Sequence, residues 1–271
     1  MKTFTAEKIS NTKYRLAEAP FYDAEKDCYT WVDIIDGKIY QSCKGETTVT
    51  ETGQMVGACV PVPGTEKFIA AMVDGLYEFE NGELKLLKNL EGVYEKHHRS
   101  NDAKMDPGGR LFFGSTTYME GHGEGGNLYL YDKGEVKLLQ PNTKIANGMA
   151  WSADNKYFFF SDSTEHAVFK YDYDVETGLI SNRTVLFEVH DGVPDGMCID
   201  EKDNLWLAVW GGRRIECHDS STGEQIAQIN VDAENVTSCC FVDRETLFIT
   251  TSGEDQTGDG DGRLFKCKIN F

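Results

Sequence analysis

The chain has 271 residues, 40% of them hydrophobic, enough to bury a sizeable core within one all-β domain spanning residues 1–271. Its 45 acidic residues against 27 basic ones give a net charge of -18, which repels phosphate backbones and anionic lipid surfaces and argues against nucleic-acid or membrane partners. The start, Met1-Lys2-Thr3-Phe4-Thr5-Ala6-Glu7-Lys8-Ile9, lacks an apolar stretch of signal-peptide length and no segment approaches a membrane span, so a cytoplasmic protein is expected.

In chain order, the predicted elements repeat. Glu18 lies ten or eleven residues ahead of the short apolar strand Tyr29-Thr30-Trp31-Val32. Gly57 and Ala58 hold the same phase before Phe68-Ile69-Ala70-Ala71, and Asn101 before Leu111-Phe112-Phe113-Gly114. Asn147 holds it before Phe158-Phe159-Phe160-Ser161, Asp195 before Leu205-Trp206-Leu207-Ala208, and Thr237 and Ser238 before Leu247-Phe248-Ile249-Thr250. Each copy reads as strand, polar turn and strand, with turns such as Asp106-Pro107-Gly108-Gly109 and Ser152-Ala153-Asp154-Asn155. Further strands follow, for example Asn127-Leu128-Tyr129-Leu130-Tyr131-Asp132, and no helix of ordinary length is expected.

Six copies with starts 39 to 47 residues apart, each holding about four strands, predict an all-β six-bladed β-propeller. Residues 3–9 are expected to pair into the last blade and latch the ring. With the first strand of each hairpin nearest the axis, equal phase means equal height, so Glu18, Asn101, Asn147 and Asp195 should gather in a cup at one mouth of the channel.

Glu18, Asn147 and Asp195 offer only oxygen ligands, two of them anionic. That set suits one divalent cation, with calcium first and magnesium, manganese or zinc as alternatives. Three protein ligands leave positions open for water and substrate. The cation's charge would also offset the repulsion between Glu18 and Asp195.

The motifs Ala17-Glu18-Ala19-Pro20, Arg99-Ser100-Asn101-Asp102, Asp106-Pro107-Gly108-Gly109-Arg110-Leu111, Asn147-Gly148-Met149-Ala150-Trp151-Ser152 and Pro194-Asp195-Gly196-Met197 occur in this order. With Asn204-Leu205-Trp206-Leu207-Ala208-Val209-Trp210-Gly211-Gly212, this pattern resembles the gluconolactonase, regucalcin and luciferin-regenerating-enzyme family over nearly the whole chain. The resemblance implies a cation held by Glu18, Asn147 and Asp195 and hydrolysis of a small-molecule sugar lactone. It implies Asp195 as the catalytic base and Arg99 and Asn101 as substrate-binding residues. Glu120 would take the place of a substrate-contacting glutamate that some relatives carry near the position of Met119. The first motif has Ala19 where many relatives have glycine, a small change if the backbone there is unstrained. A broader esterase or phosphotriesterase, or a non-catalytic metal- or ligand-binding propeller, is the alternative reading.

Other residues carry plainer expectations. The eight cysteines contain no C-x-x-C pair and are read as reduced, mostly buried thiols. His97 and His98 are read as solvent-facing loop residues, and Trp210 as a packing residue. Asp102 is read as either a supporting residue behind the site or a turn cap. Residues 255–262, Asp-Gln-Thr-Gly-Asp-Gly-Asp-Gly, are read as a solvated acidic hairpin tip rather than a calcium loop.

Overall fold

A computed structural model describes residues 1–118 and 125–270. It is a six-bladed β-propeller, with a four-stranded antiparallel sheet for each blade and one further strand on the edge of the fifth. The innermost strands are Ala17–Asp23, Val56–Pro61, His98–Met105, Ala146–Trp151, Val193–Ile199 and Asn235–Asp243, which define blades 1 to 6. They touch one another in that order, and the last returns to the first. Thr237 helps close the ring, its Oγ1 donating to Ala17 O at 2.6 Å.

Side chains that alternate along the apolar strands fill the spaces between blades. Phe112, Trp151, Phe158 and Phe160 join blades 3 and 4, while Trp206, Leu247 and Phe265 join blades 5 and 6. At about 25 cal/mol per Å² of apolar surface, these seams dominate the stabilisation. Glycine is required where inner strands crowd the axis. A Cβ on Gly148 would stand 2.5 Å from Asp195 O, and one on Gly196 would stand 2.2 Å from Ser238 Oγ.

The latch is divided between two blades. Glu7–Lys8 pairs antiparallel with Phe265–Lys268 as the outer strand of blade 6, whereas Lys2–Thr5 runs parallel to Gln225–Asn230 on the edge of blade 5. Between them Ala6 is buried and its N–H donates to Asn230 O at 2.9 Å, carrying the chain from one blade to the next. Only part of the expected segment therefore enters the last blade.

Two expectations from composition are corrected. Cys28, at the start of the second strand of blade 1, stands directly opposite Cys43 at the end of the third, and the two form a disulfide. The thiol reading fails for this pair because hairpin register brings together residues 15 apart. A disulfide is more usual in oxidising compartments, so the cysteines lend no support to a cytoplasmic location. In residues 255–262 the first half is largely exposed, but Gly260, Asp261 and Gly262 are buried. Asp261 accepts from Glu234 N and Gly258 N, both at 2.7 Å, and so braces the start of blade 6. No helix among the described residues is long and apolar enough to cross a membrane.

Candidate active site at the channel mouth

The pairing register of every innermost strand shifts at the phase singled out in the sequence. The shifts fall between Glu18 and Phe21, Val56 and Ala58, Ser100 and Ala103, Ala146 and Met149, Pro194 and Met197, and Val236 and Ser238. A bulge inserts unpaired residues and re-aims their side chains. In blades 3, 4 and 5 Asn101, Asn147 and Asp195 lie inside the shifted stretch, in blade 1 Glu18 is the last paired residue before it, and all four line one cavity of 230 Å³ at a channel mouth.

The hydrogen bonds there have a fixed direction. Asn101 Nδ2 donates to the carbonyl of Ala146 at 2.9 Å and to Asn147 Oδ1 at 3.1 Å. Arg99 Nη1 donates to Asn101 Oδ1 at 2.7 Å. Asn147 Nδ2 donates to Ser163 Oγ at 2.8 Å, and Ser163 Oγ donates to Pro194 O at 2.8 Å. Since a backbone carbonyl only accepts, the two ends of this chain fix both amides, leaving Asn147 Oδ1 toward Asn101 and the cavity. Ser161 Oγ adds a bond to Asp195 O at 2.9 Å.

The second strands hold the approaches to these side chains in a repeated way. Asp33, at the end of its strand in blade 1, accepts from Arg15 N at 2.8 Å and Leu16 N at 3.2 Å, just before Glu18. Asp162, at the equivalent place in blade 4, accepts from Lys144 N at 2.9 Å and Ile145 N at 3.1 Å, just before Asn147. A buried carboxylate taking two backbone N–H bonds is costly to remove.

Glu18 and Asp195 are buried, and among the described residues neither has an ion-pair partner within 4 Å. Burial pushes the Glu18 carboxyl well above the ordinary carboxylate range, with Asp195 and Asp102 adding repulsion. Burial likewise raises Asp195 well above that range, helped by Asp102. Asp102 is itself raised by burial, and its Oδ1 accepts from its neighbour Ala103 N at 2.8 Å rather than capping a turn. Arg99 is pulled down to about 10 by loss of water, a shift that the facing carboxylates partly oppose.

Such an arrangement calls for positive charge. Among the described residues no three His, Cys, Asp or Glu side chains gather as a metal-holding group. The set that can hold a cation is Glu18 and Asp195 completed by the amide oxygen of Asn147, which suits a hard divalent ion. Larger hollows of 500 and 540 Å³ lie around Arg110 and Arg244 on the outer loops, away from these carboxylates.

A family model described as the SMP-30/gluconolactonase/LRE-like region matches residues 16–253, which include Glu18, Asn101, Asn147 and Asp195. The chain belongs to this family. The putative sugar lactone lactonase YvrE of Bacillus subtilis (strain 168) is 32% identical over 264 residues, covering 92% of this chain and 87% of that protein. Regucalcin of Danio rerio is 31% identical over 268 residues, covering 93% and 88% respectively. A solved structure of a luciferin-regenerating enzyme superposes with a TM-score of 0.89 at 29% identity, covering 98% of this chain and 95% of its own.

For this member of the SMP-30/gluconolactonase/LRE-like family, Glu18, Arg99, Asn101, Asn147 and Asp195 all line the cavity. Glu120 lies outside the described residues. The histidine pair divides: His97 has φ of 68° in a turn, whereas His98 is the first residue of the inner strand of blade 3 and is only 5% exposed, contrary to the solvent-facing reading. Trp210 packs against the cluster that contains Leu16 and Ile34, and it also lines the cavity. The sequence reading missed Ser163 and Glu254. A serine after a strand and a glutamate after Ser252-Gly253 carry no local signal, and only the closed ring brings them to the site.

Proposed function

We propose that the protein is a metal-dependent hydrolase of sugar lactones, with one divalent cation, calcium first, held by Glu18, Asn147 and Asp195. The observation that carries this reading is the convergence of two buried carboxylates, without an ion-pair partner among the described residues, with an inward-facing amide oxygen. The sugar-lactone substrate is supported by kinship with a putative sugar lactone lactonase along most of both chains. When bound, the cation would supply Lewis-acid polarisation of the lactone carbonyl.

The chain's own residues supply the rest. Asp195 accepts a proton from a water that attacks the carbonyl carbon. The ring C–O bond then breaks, and the proton passes to the departing ring oxygen, so one lactone and one water become one hydroxy acid. Arg99 and Asn101 hold hydroxyls or the ring oxygen of the substrate, with Arg99 itself braced by Asn101 Oδ1 and Ser100 O. Glu120 is retained as a third substrate contact. General-base assistance contributes about 10²- to 10⁴-fold in rate, and Asp195→Asn should lose that factor.

The test is acid release from glucono-1,5-lactone and related aldonolactones by metal-stripped protein, with Ca²⁺, Mg²⁺, Mn²⁺ or Zn²⁺ restored one at a time. Turnover that depends on the cation and vanishes in Asp195→Asn supports the reading. Turnover unaffected by stripping, or retained in Asp195→Asn, refutes it.

A further inference from the structure

The cavity is also lined by two side chains that the proposed chemistry leaves unused, Trp210 and Glu254. Glu254 follows the second strand of blade 6, Thr246–Ser252. Blade 6 lies three blades around the ring from blade 3, so Glu254 approaches the cavity from the side opposite Arg99. Both side chains line the cavity, and the Glu254 charge favours the guanidinium.

The Glu254 backbone is fixed, its N–H donating to Arg15 O and Ser252 Oγ, both at 3.1 Å. Arg15 approaches the carboxylate at 3.7 Å, a separation too long for a tight bidentate pair. The half-exposed carboxylate therefore keeps acceptor capacity for a ligand. Arg99 spends Nη1 on Ser100 and Asn101 and has the other guanidinium nitrogens to offer. Trp210 ends the second strand of blade 5, Asn204–Trp210, and presents a half-buried ring to the cavity.

A carboxylate accepts two hydroxyl hydrogens side by side, a guanidinium donates to hydroxyl oxygens, and an indole covers the C–H face of a ring. The volume of 230 Å³ is below the roughly 300–1,000 Å³ of drug-sized sites and suits a single small ring. We propose that Glu254, acting across the cavity from Arg99 and beside Trp210, forms a hydroxyl-recognising wall that selects polyhydroxylated lactones over lactones without hydroxyls. This inference rests on the hydrolase reading and adds a basis for its substrate choice.

The test compares wild type, Glu254→Ala, Trp210→Leu and Arg15→Ala with glucono-1,5-lactone and with δ-valerolactone, which has the same ring and no hydroxyls. Glu254→Ala is expected to lower kcat/KM for the sugar lactone about tenfold, chiefly through KM, with δ-valerolactone unchanged. Trp210→Leu should act in the same direction, while Arg15→Ala, which removes only the outer contact, should leave the ratio between substrates unchanged. Equal losses on both substrates, or no loss on either, overturn the inference and leave the hydrolase reading standing. Calorimetric titration with D-sorbitol supplies a readout without turnover. If wild type hydrolyses neither lactone, the hydrolase reading fails separately, and sorbitol binding weakened by Glu254→Ala still supports the wall, whereas binding that is absent or unaltered overturns it.

Discussion

Ser163 Oγ accepts from Asn147 Nδ2 and donates to Pro194 O, each at 2.8 Å, so one buried hydroxyl fixes the amide of one candidate ligand and the backbone immediately before another. Supporting partners of this kind orient metal ligands and typically alter affinity by about 10- to 100-fold when removed. Ser163→Ala should therefore weaken divalent-cation binding about tenfold, measured by calorimetry on metal-stripped protein. Ser163→Thr, which keeps the hydroxyl, should retain more of the affinity. Equal affinity in wild type and Ser163→Ala would remove this role.

Ala19 sits beside Glu18 with φ of 47°, in the left-handed region, and its N–H donates to Glu18 Oε2 at 2.7 Å. The condition under which alanine would be a harmless replacement for glycine is thus not met. A left-handed conformation costs a side-chain-bearing residue roughly 1–2 kcal/mol, partly offset by the greater freedom of glycine in the unfolded chain. Ala19→Gly should raise stability by up to about 1 kcal/mol in denaturant unfolding. A loss of stability would contradict the strain.

Glu18 and Asp195 give the metal-stripped protein a distinctive pH dependence. Their carboxyls stand well above the ordinary 4.5 and 3.8, first because of burial and then because carboxylates face one another. The folded state thus holds protons that the unfolded chain releases above about pH 4, so these groups remove stability as pH rises from there through their raised folded values. The slope reaches about 1.4 kcal/mol per pH unit for each group. Thermal melts from about pH 4 to 8 should show this decline relative to a Glu18→Gln, Asp195→Asn double variant. Saturating Ca²⁺ should abolish the decline in the wild type. Parallel profiles for the two metal-stripped proteins would contradict the account.

Residues 1–9 join two blades, through Lys2–Thr5 on blade 5 and Glu7–Lys8 on blade 6. Deleting them exposes two sheet edges and should cost roughly 3 kcal/mol or more, given about 1 kcal/mol for a typical net hydrogen bond and the loss of Ala6 burial. Denaturant unfolding reads this directly, and an unchanged midpoint would refute the latch.

The repeat, its six copies and the common height of Glu18, Asn101, Asn147 and Asp195 were legible because strand alternation and blade length are periodic in sequence. The bulges at that height were not. A register shift depends on which residues of the neighbouring strand are opposed, as between Glu18 and Phe21. Ser163 and Glu254 reach the cavity only after the ring closes, and the Cys28–Cys43 pairing depends on cross-strand register. Asp33 and Asp162 share a position at the ends of second strands, yet their bonds to the segments before Glu18 and Asn147 join residues 17 or 18 apart. Local patterns set the blades, whereas contacts between strands finish the site.

Whether Glu18, Asn147 and Asp195 hold one divalent cation is read by calorimetric titration of Ca²⁺ into metal-stripped wild type and Asp195→Asn. One saturable site per chain, lost or weakened at least tenfold in Asp195→Asn while the fold is retained, is the predicted result. No binding in wild type, or equal binding in the variant, would contradict the account.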